Sequence, residues 1–376
     1  MKSRTVVILW LLAIVLGVLA YFVKFHSKEA PPAQTKLAPG DKLFEELPIR
    51  DIYSVQISQG DDITHLIRAE GNQWGVKERL HYSLRYDLLR DLLGSLNDLE
   101  VTQSYPSDKQ YFSRFGLADE IKPEDNKEEY LGAIKVAMLD QSGAPIEEVY
   151  LGKFSGSRRV GGRFVRITGD DSGIYAVPQT FPGVTANPKN WLNTKFVQIS
   201  NIQSIGVSAP ADSSFTKWKV SRPTLQGQFT IDDMSENEVM RLTSTSSLRS
   251  LFHSSSFQDV LSDDMVAELS EPDEKLKRRA TITTFDGLTY VLDFWPHKPK
   301  PKDPNADSRL PDAPPSYNLT IKVSADLSKQ ENVKLKLIDA EQFQGVTYQV
   351  SRYLIAALEK KRDDFVATKP SSANSP

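Results

Sequence analysis

The sequence predicts an α+β protein of two tandem related units, each an antiparallel sheet with a packed amphipathic helix, set behind one N-terminal transmembrane helix. Three observations predict it. An uncharged apolar run opens the chain at Thr5–Val23, a leucine stripe at helical spacing follows the first strands, and a block order of strand, tryptophan, helix and strands occurs twice. The expected boundaries are 1–28 for the anchor, 29–42 for a proline-rich tether, 43–195 and 196–365 for the two units, and 366–376 for a disordered tail.

The opening run holds nineteen uncharged residues, among them Val6, Ile8, Leu9, Trp10, Leu11, Leu12, Ile14, Val15, Leu16, Val18, Leu19 and Phe22. At about 1.5 Å per residue it matches a hydrocarbon core of roughly 30 Å. Lys2 and Arg4 precede it, Lys24 and Lys28 follow it, and the free amine tips the balance toward an inside N-terminus. A cleaved signal peptide is the rival reading, but the run is long for one and Val18-Leu19-Ala20 makes a poor cleavage site. The expected location is therefore the bacterial inner membrane, single-pass, with the N-terminus in the cytoplasm and the bulk periplasmic.

Composition narrows the partners. There is no cysteine, which excludes a lipoprotein anchor, disulfides and thiolate chemistry and suits an oxidising compartment. Residues 1–28 carry four basic and no acidic side chains, which leaves 42 basic against 49 acidic in the remainder. That mildly acidic balance argues against nucleic acid. The bilayer, through residues 5–23, is an expected partner.

Glu29–Gly40 is rich in proline and small residues and reads as the tether. In the first unit, Pro48–Ile57 alternates as a strand, a second strand surrounds His65–Ala69, and Trp74 follows. Leu84, Leu88, Leu89, Leu92, Leu93, Leu96 and Leu99 then predict a helix from about Ser83. Strands are expected at Ala133–Leu139, Glu147–Leu151, Arg163–Ile167 and Gly173–Val177.

The second unit repeats the order. Ile199–Val207 stands for the first strand and Trp218 for Trp74, and a helix is expected from Ser235, where Ser235 and Glu238 read as a capping box. Strands follow at Thr281–Thr284, Thr289–Phe294, Tyr317–Val323 and Val333–Ile338. Phe181-Pro182-Gly183-Val184 and Phe343-Gln344-Gly345-Val346 read as matching ends, and Val346, Val350, Tyr353, Leu354, Ala357 and Leu358 as a closing helix. Pro296–Pro315 reads as a long exposed loop.

These blocks resemble a bacterial family, domain of unknown function 4340. The matching residues are Ile52-x-x-Val55-x-Ile57, Trp74-x-Val76, Leu96-x-x-Leu99, Phe115-Gly116-Leu117, Val149-Tyr150-Leu151-Gly152-Lys153, Ile174-Tyr175-Ala176-Val177 and Trp191-Leu192. The resemblance covers roughly 43–350. It implies one N-terminal membrane helix and association with an ABC-type transporter of the gliding-motility kind, whose permease or associated envelope subunits are the partners to expect. It implies no known reaction.

The residues themselves offer little chemistry. The five histidines show no ligand spacing, and Asp61-Asp62, Asp232-Asp233 and Asp263-Asp264 read as solvated faces or helix caps. Asp170-Asp171 reads as a turn. Gly152–Arg163 lacks a P-loop ending and reads as a hairpin loop whose Arg158, Arg159, Arg163 and Arg166 are candidate partner contacts, beside the blander role of a charged sheet edge. Trp74 and Trp218 read as core, while Trp295, beside Pro296, is a candidate contact. No catalytic, metal or cofactor residue is expected. The function expected is a non-enzymatic, membrane-anchored accessory or binding component of an ABC-type transport system. The alternatives are an envelope ligand sensor, or a glycan-processing hydrolase with an unrecognised carboxylate site.

Overall fold

The structure is a computed structural model of the chain and describes residues 35–107, 109–118, 132–156, 161–269, 273–298, 315–328 and 333–369. The expected anchor at 5–23, most of the proline-rich loop and the end of the tail lie outside these residues. Among the described residues no helix is long and apolar enough to cross a membrane.

In chain order the strands and helices are β1 Ser54–Gln59, β2 Asp62–Arg68, β3 Trp74–Val76, β4 Tyr82–Ser83, α1 Tyr86–Asn97, β5 Gln103–Pro106, α2 Lys109–Phe115, β6 Ile134–Leu139, β7 Pro145–Phe154, β8 Arg163–Ile167 and β9 Gly173–Val177. They continue as β10 Ile202–Ser208, β11 Trp218–Ser221, β12 Thr230–Ile231, β13 Glu238–Met240, α3 Leu242–Thr245, β14 Asp259–Leu261, α4 Asp263–Glu268, β15 Arg278–Thr284, β16 Leu288–Pro296, β17 Ser316–Ala325, α5 Val333–Glu341, β18 Thr347–Ser351, α6 Arg352–Ile355 and β19 Val366–Thr368. The result is a mixed α/β protein of largely antiparallel sheets with few helices.

By contacts the chain divides into two compact units. One runs to Ile63 and resumes at Leu89–Ala186, and the other joins Thr64–Leu88 to the chain from Asn187 onward. In the first, strands follow the order β1-β6-β7-β8-β9-β5, each antiparallel to its neighbour. Val55 and Ile57 of β1 stand opposite Met138 and Val136 of β6, and all four are fully buried. This is the two-residue period of a sheet with one face turned inward. On α1, Leu89, Leu92, Leu93 and Leu96 are buried, as their three- and four-residue spacing requires. The fold starts earlier than Leu43: Gly40 N donates to Val101 O at 2.8 Å, and Lys42 bridges Glu100.

The second unit holds an eight-stranded sheet, β12-β11-β10-β15-β16-β17-β18-β14, and a two-stranded β13-β19 pair. Ile205, Ile282, Leu292, Ile321 and Val350 fill its core. Trp218 is buried there, its Nε1 donating to Lys360 O at 2.7 Å, whereas Trp74 is only half-buried with Arg68 stacked at 5.4 Å. The two tryptophans are therefore not equally core residues.

Five expectations in this part of the chain are corrected. No helix starts at Ser235. Glu238 does accept from Ser235 N at 2.9 Å, but it closes a turn, and Glu238–Met240 pair with β19. The Thr/Ser run that follows makes only α3 and a 3-10 turn, because Thr245 and Ser246 hydroxyls donate to nearby carbonyls at 2.9 Å and compete with the helix ladder.

Val333–Ile338, expected as a strand, opens α5. Its Lys and Leu residues are good helix formers, and its alternation does not report burial, since Leu335 and Ile338 stay exposed. The strand of the sheet is instead Thr347–Ser351, where a closing helix was expected, with Tyr348 and Val350 buried at period two. Phe343–Val346 thus precedes β18 whereas Phe181–Val184 follows β9, so these segments are not matching ends. The expected disordered tail begins as β19.

Candidate functional site

Of the four hairpin arginines, Arg158 and Arg159 lie outside the described residues. Arg163, at the start of β8, is buried: its Nε donates to Gly152 O at 2.8 Å, Nη1 donates to Thr180 O at 3.3 Å, and the guanidinium stacks 5.2 Å from the Phe154 ring. Arg166 lies 3.4 Å from the centroid of Tyr150 and 5.2 Å from that of Phe112. Both side chains brace the first unit's own strands. Gly162 completes the hairpin, since a Cβ there would stand 1.6 Å from Val177 O.

Trp295 is different. It sits near the end of β16, half-buried, and walls a cavity of about 300 Å³ lined also by Pro210, Ala211, Glu274, Lys277, Arg278, Arg279, Asp293 and Thr320. Strand register builds the site. Arg279 on β15 stands opposite Asp293 on β16, and the pair closes two bonds, Nε to Oδ1 at 2.6 Å and Nη2 to Oδ2 at 2.9 Å. That carboxylate raises the Arg279 pKa above its ordinary value.

Arg278 points the other way along the same strand. It pairs with Asp212 at 3.3 Å, donates from Nη1 to Lys275 O at 2.5 Å and Lys277 O at 3.0 Å, and stacks 4.6 Å from Phe215. Asp212 is held below the usual carboxylate range by the Ser214 hydroxyl first, with Arg278 adding to it. Lys277 bonds Glu274 at 2.6 Å and lies 5.6 Å from the Trp295 centroid. Every one of the three cations is thus fixed by a carboxylate, and a Trp face remains beside them. Such a set can bind a partner by stacking and hydrogen bonding.

Sequence reasoning found Trp295 but not its surroundings. Lys277, Arg278 and Arg279 stand in one short run, EKLKRRA, whose charge density was visible, but only the β15–β16 register shows that Asp293 and Trp295 meet it.

A second hollow, about 410 Å³, lies in the first unit among Tyr105, Pro106, Tyr111, Arg114, Phe115 and Phe164. Its rings pack at centroid distances of 4.5 Å for Phe115–Phe164, 5.2 Å for Tyr105–Phe115 and 6.0 Å for Tyr105–Phe164. The aromatic density of YPSDKQYFSRF was the missed signal.

The acidic pairs behave as caps and faces. Ser262 caps α4, with Asp263 and Asp264 in its first turn, and Asp232 pairs with Lys219 at 2.9 Å. Asp170 forms the expected turn, accepting from Ser172 N at 3.0 Å and from the buried Tyr175 hydroxyl at 2.5 Å. Although its burial works against ionisation, the Ser172 and Tyr175 bonds hold its carboxyl below the usual range. Among the described residues no group of three or more histidine or acidic side chains is disposed to hold a metal ion.

A family model described as a domain of unknown function (DUF4340) matches residues 74–275. No curated protein and no solved structure matches the chain.

Proposed function

The chain belongs to the DUF4340 family, and from that premise we propose that it is a non-enzymatic, membrane-anchored component of the bacterial envelope. Residues 5–23 hold it in the inner membrane with the N-terminus in the cytoplasm, and the folded units stand on the periplasmic side. There it serves an ABC-type transport system by binding a permease or an associated envelope subunit.

The two units are, on this reading, tandem copies of one plan. The order β1-β6-β7-β8-β9-β5 in the first has its counterpart in β10-β15-β16-β17-β18-β14 in the second, and every neighbouring pair in both is antiparallel. Sheets that keep one order while their helices and loops differ offer two distinct binding surfaces on a shared scaffold.

The observation that carries the binding role is the Trp295 hollow. Its cations are locked in carboxylate pairs, so they present fixed donors rather than proton-transfer groups, and the half-buried indole gives a flat apolar contact beside them. Aromatic and arginine side chains set together in this way are typical anchors of protein interfaces.

The test is recovery of the full-length protein from its native membrane in mild detergent, with co-purifying proteins identified by mass spectrometry. Transporter subunits should be recovered with the native chain and lost with Trp295→Ala at unchanged thermal stability. Recovery of the chain alone would overturn the reading.

A further inference from the structure

The aromatic hollow of the first unit has a feature the proposed function does not use. It lies beside β5, the last strand in that unit's order. Edge strands attract extended chains through their unpaired amides, but Pro106 has no amide hydrogen to offer. At the Pro106 end the edge therefore lacks one outward donor and presents rings beside it. Tyr105, Tyr111, Phe115 and Phe164 form an open aromatic wall, with Arg114 at 5.9 Å from the Phe115 centroid. Polyproline II segments suit such a wall, because they carry no internal hydrogen bonds and lay pyrrolidine rings on aromatic faces at little entropic cost.

The chain itself brings such a segment to this edge. Leu37 O accepts from Ser104 Oγ of β5 at 2.8 Å, and Lys36 N donates to Ser172 Oγ at 2.7 Å. Ser107 N donates to Ser172 O at 3.0 Å, so Lys36 stands at the Pro106 end of β5, where the hollow is. Immediately upstream of Thr35 the sequence reads Glu29-Ala30-Pro31-Pro32-Ala33-Gln34. Six residues at about 3.1 Å each reach roughly 19 Å, enough to turn round the edge of one strand. Glu29 also supplies the charge that Arg114 would attract.

We propose that this groove receives the Pro31-Pro32 segment of its own tether. Docking shortens the tether, which then starts from Lys28 rather than from the first bonded residues at Thr35–Leu37. The inference stands apart from the transporter reading and would survive its failure.

The tether is flanked by two tryptic sites, Lys28 and Lys36. Full-length protein in detergent micelles would be treated with trypsin, and the cleavage rate after Lys28 followed by mass spectrometry in the native chain, in Pro31→Ser/Pro32→Ser, in Tyr111→Ala, and in the combination. Tyr111 is exposed and the prolines precede the described residues, and an unchanged melting temperature would verify that each variant keeps the fold. Docking predicts that each change speeds cleavage about fivefold or more, and that the combination adds nothing, since all break one contact. Unchanged rates, or effects that multiply, would overturn the proposal. So would acceleration by Tyr111→Ala alone, which would assign the groove to another ligand.

Discussion

Arg79 and Asp259, 180 residues apart in sequence, form a two-point ion pair with Nε to Oδ1 at 2.7 Å and Nη2 to Oδ2 at 3.2 Å. Both belong to the second unit, and their side chains are only 12% and 7% exposed. A pair this dry contributes less than its geometry suggests, because desolvation offsets the attraction, but losing one partner strands a charge. Arg79→Met or Asp259→Leu alone should therefore cost about 3–5 kcal/mol, and the double replacement markedly less than the two together. Urea unfolding of the three variants checks this, and additive losses would contradict it.

Gly162 makes a second, purely steric prediction. Its backbone runs so close to Val177 O that any β-carbon must displace the strand end, while Ser155 N donates to Gly162 O at 2.9 Å and holds it there. Gly162→Ala should lower stability by at least about 1–3 kcal/mol, the range for overpacking, with the loss centred on the β7–β8 hairpin. Hydrogen exchange of that hairpin would separate this from a diffuse effect.

Acid should loosen one clasp in a defined range. Glu238 receives two bonds from Arg362, at 2.8 and 2.9 Å, and its carboxyl is held down to about 2 by that guanidinium first and the Ser235 amide second. A depressed carboxyl contributes stability above its unfolded value of about 4.3, and the contribution fades as pH falls toward the folded value. Protection of the β13–β19 amides should thus fall between about pH 4.5 and 2, and Glu238→Gln should lose that part of the pH dependence. Identical profiles for both proteins would contradict the assignment.

The sequence's reach differed between these sites for a physical reason. Alternation and leucine spacing revealed β1, β6–β8 and α1, because each buries one face and a buried face imposes a period, whereas β9, buried along its whole length, showed as a short apolar run after a glycine turn. They failed at Val333–Ile338 and Thr347–Ser351, where α5 leaves Leu335 and Ile338 in solvent and β18 is specified by pairing with β17, although the expected closing helix does form over Arg352–Ile355. Pairing between distant strands leaves no local period. The same gap explains the site: Trp295 was conspicuous as a residue, but Arg279 meets Asp293 only through the β15–β16 register. Arg163 misled because a charged residue in a glycine-rich hairpin reads as exposed, while its guanidinium is in fact spent on Gly152 and Thr180 carbonyls.

The Trp295 hollow allows a graded prediction. Lys277 lies 5.6 Å from the indole centroid and is tied to Glu274 at 2.6 Å, so the ring that lines the cavity also carries a cation. Trp295→Phe keeps a ring over which Lys277 can sit, and Trp295→Ala removes both the ring and the wall. Partner affinity should therefore fall modestly for Phe and about tenfold or more for Ala, the cost of roughly 1.4 kcal/mol or above expected for an aromatic anchor. Because Trp295 is only half-buried, the Phe variant should unfold within about 1 kcal/mol of the native chain. Arg279→Lys tests the neighbouring donor, since a lysine cannot reproduce the two-point bond to Asp293. Affinities measured with the co-purified partner would order native, Phe, Ala if the indole is the anchor. Equal affinities for Phe and Ala would move the contact to the cations, and an unchanged affinity in all three would remove this hollow from the interface.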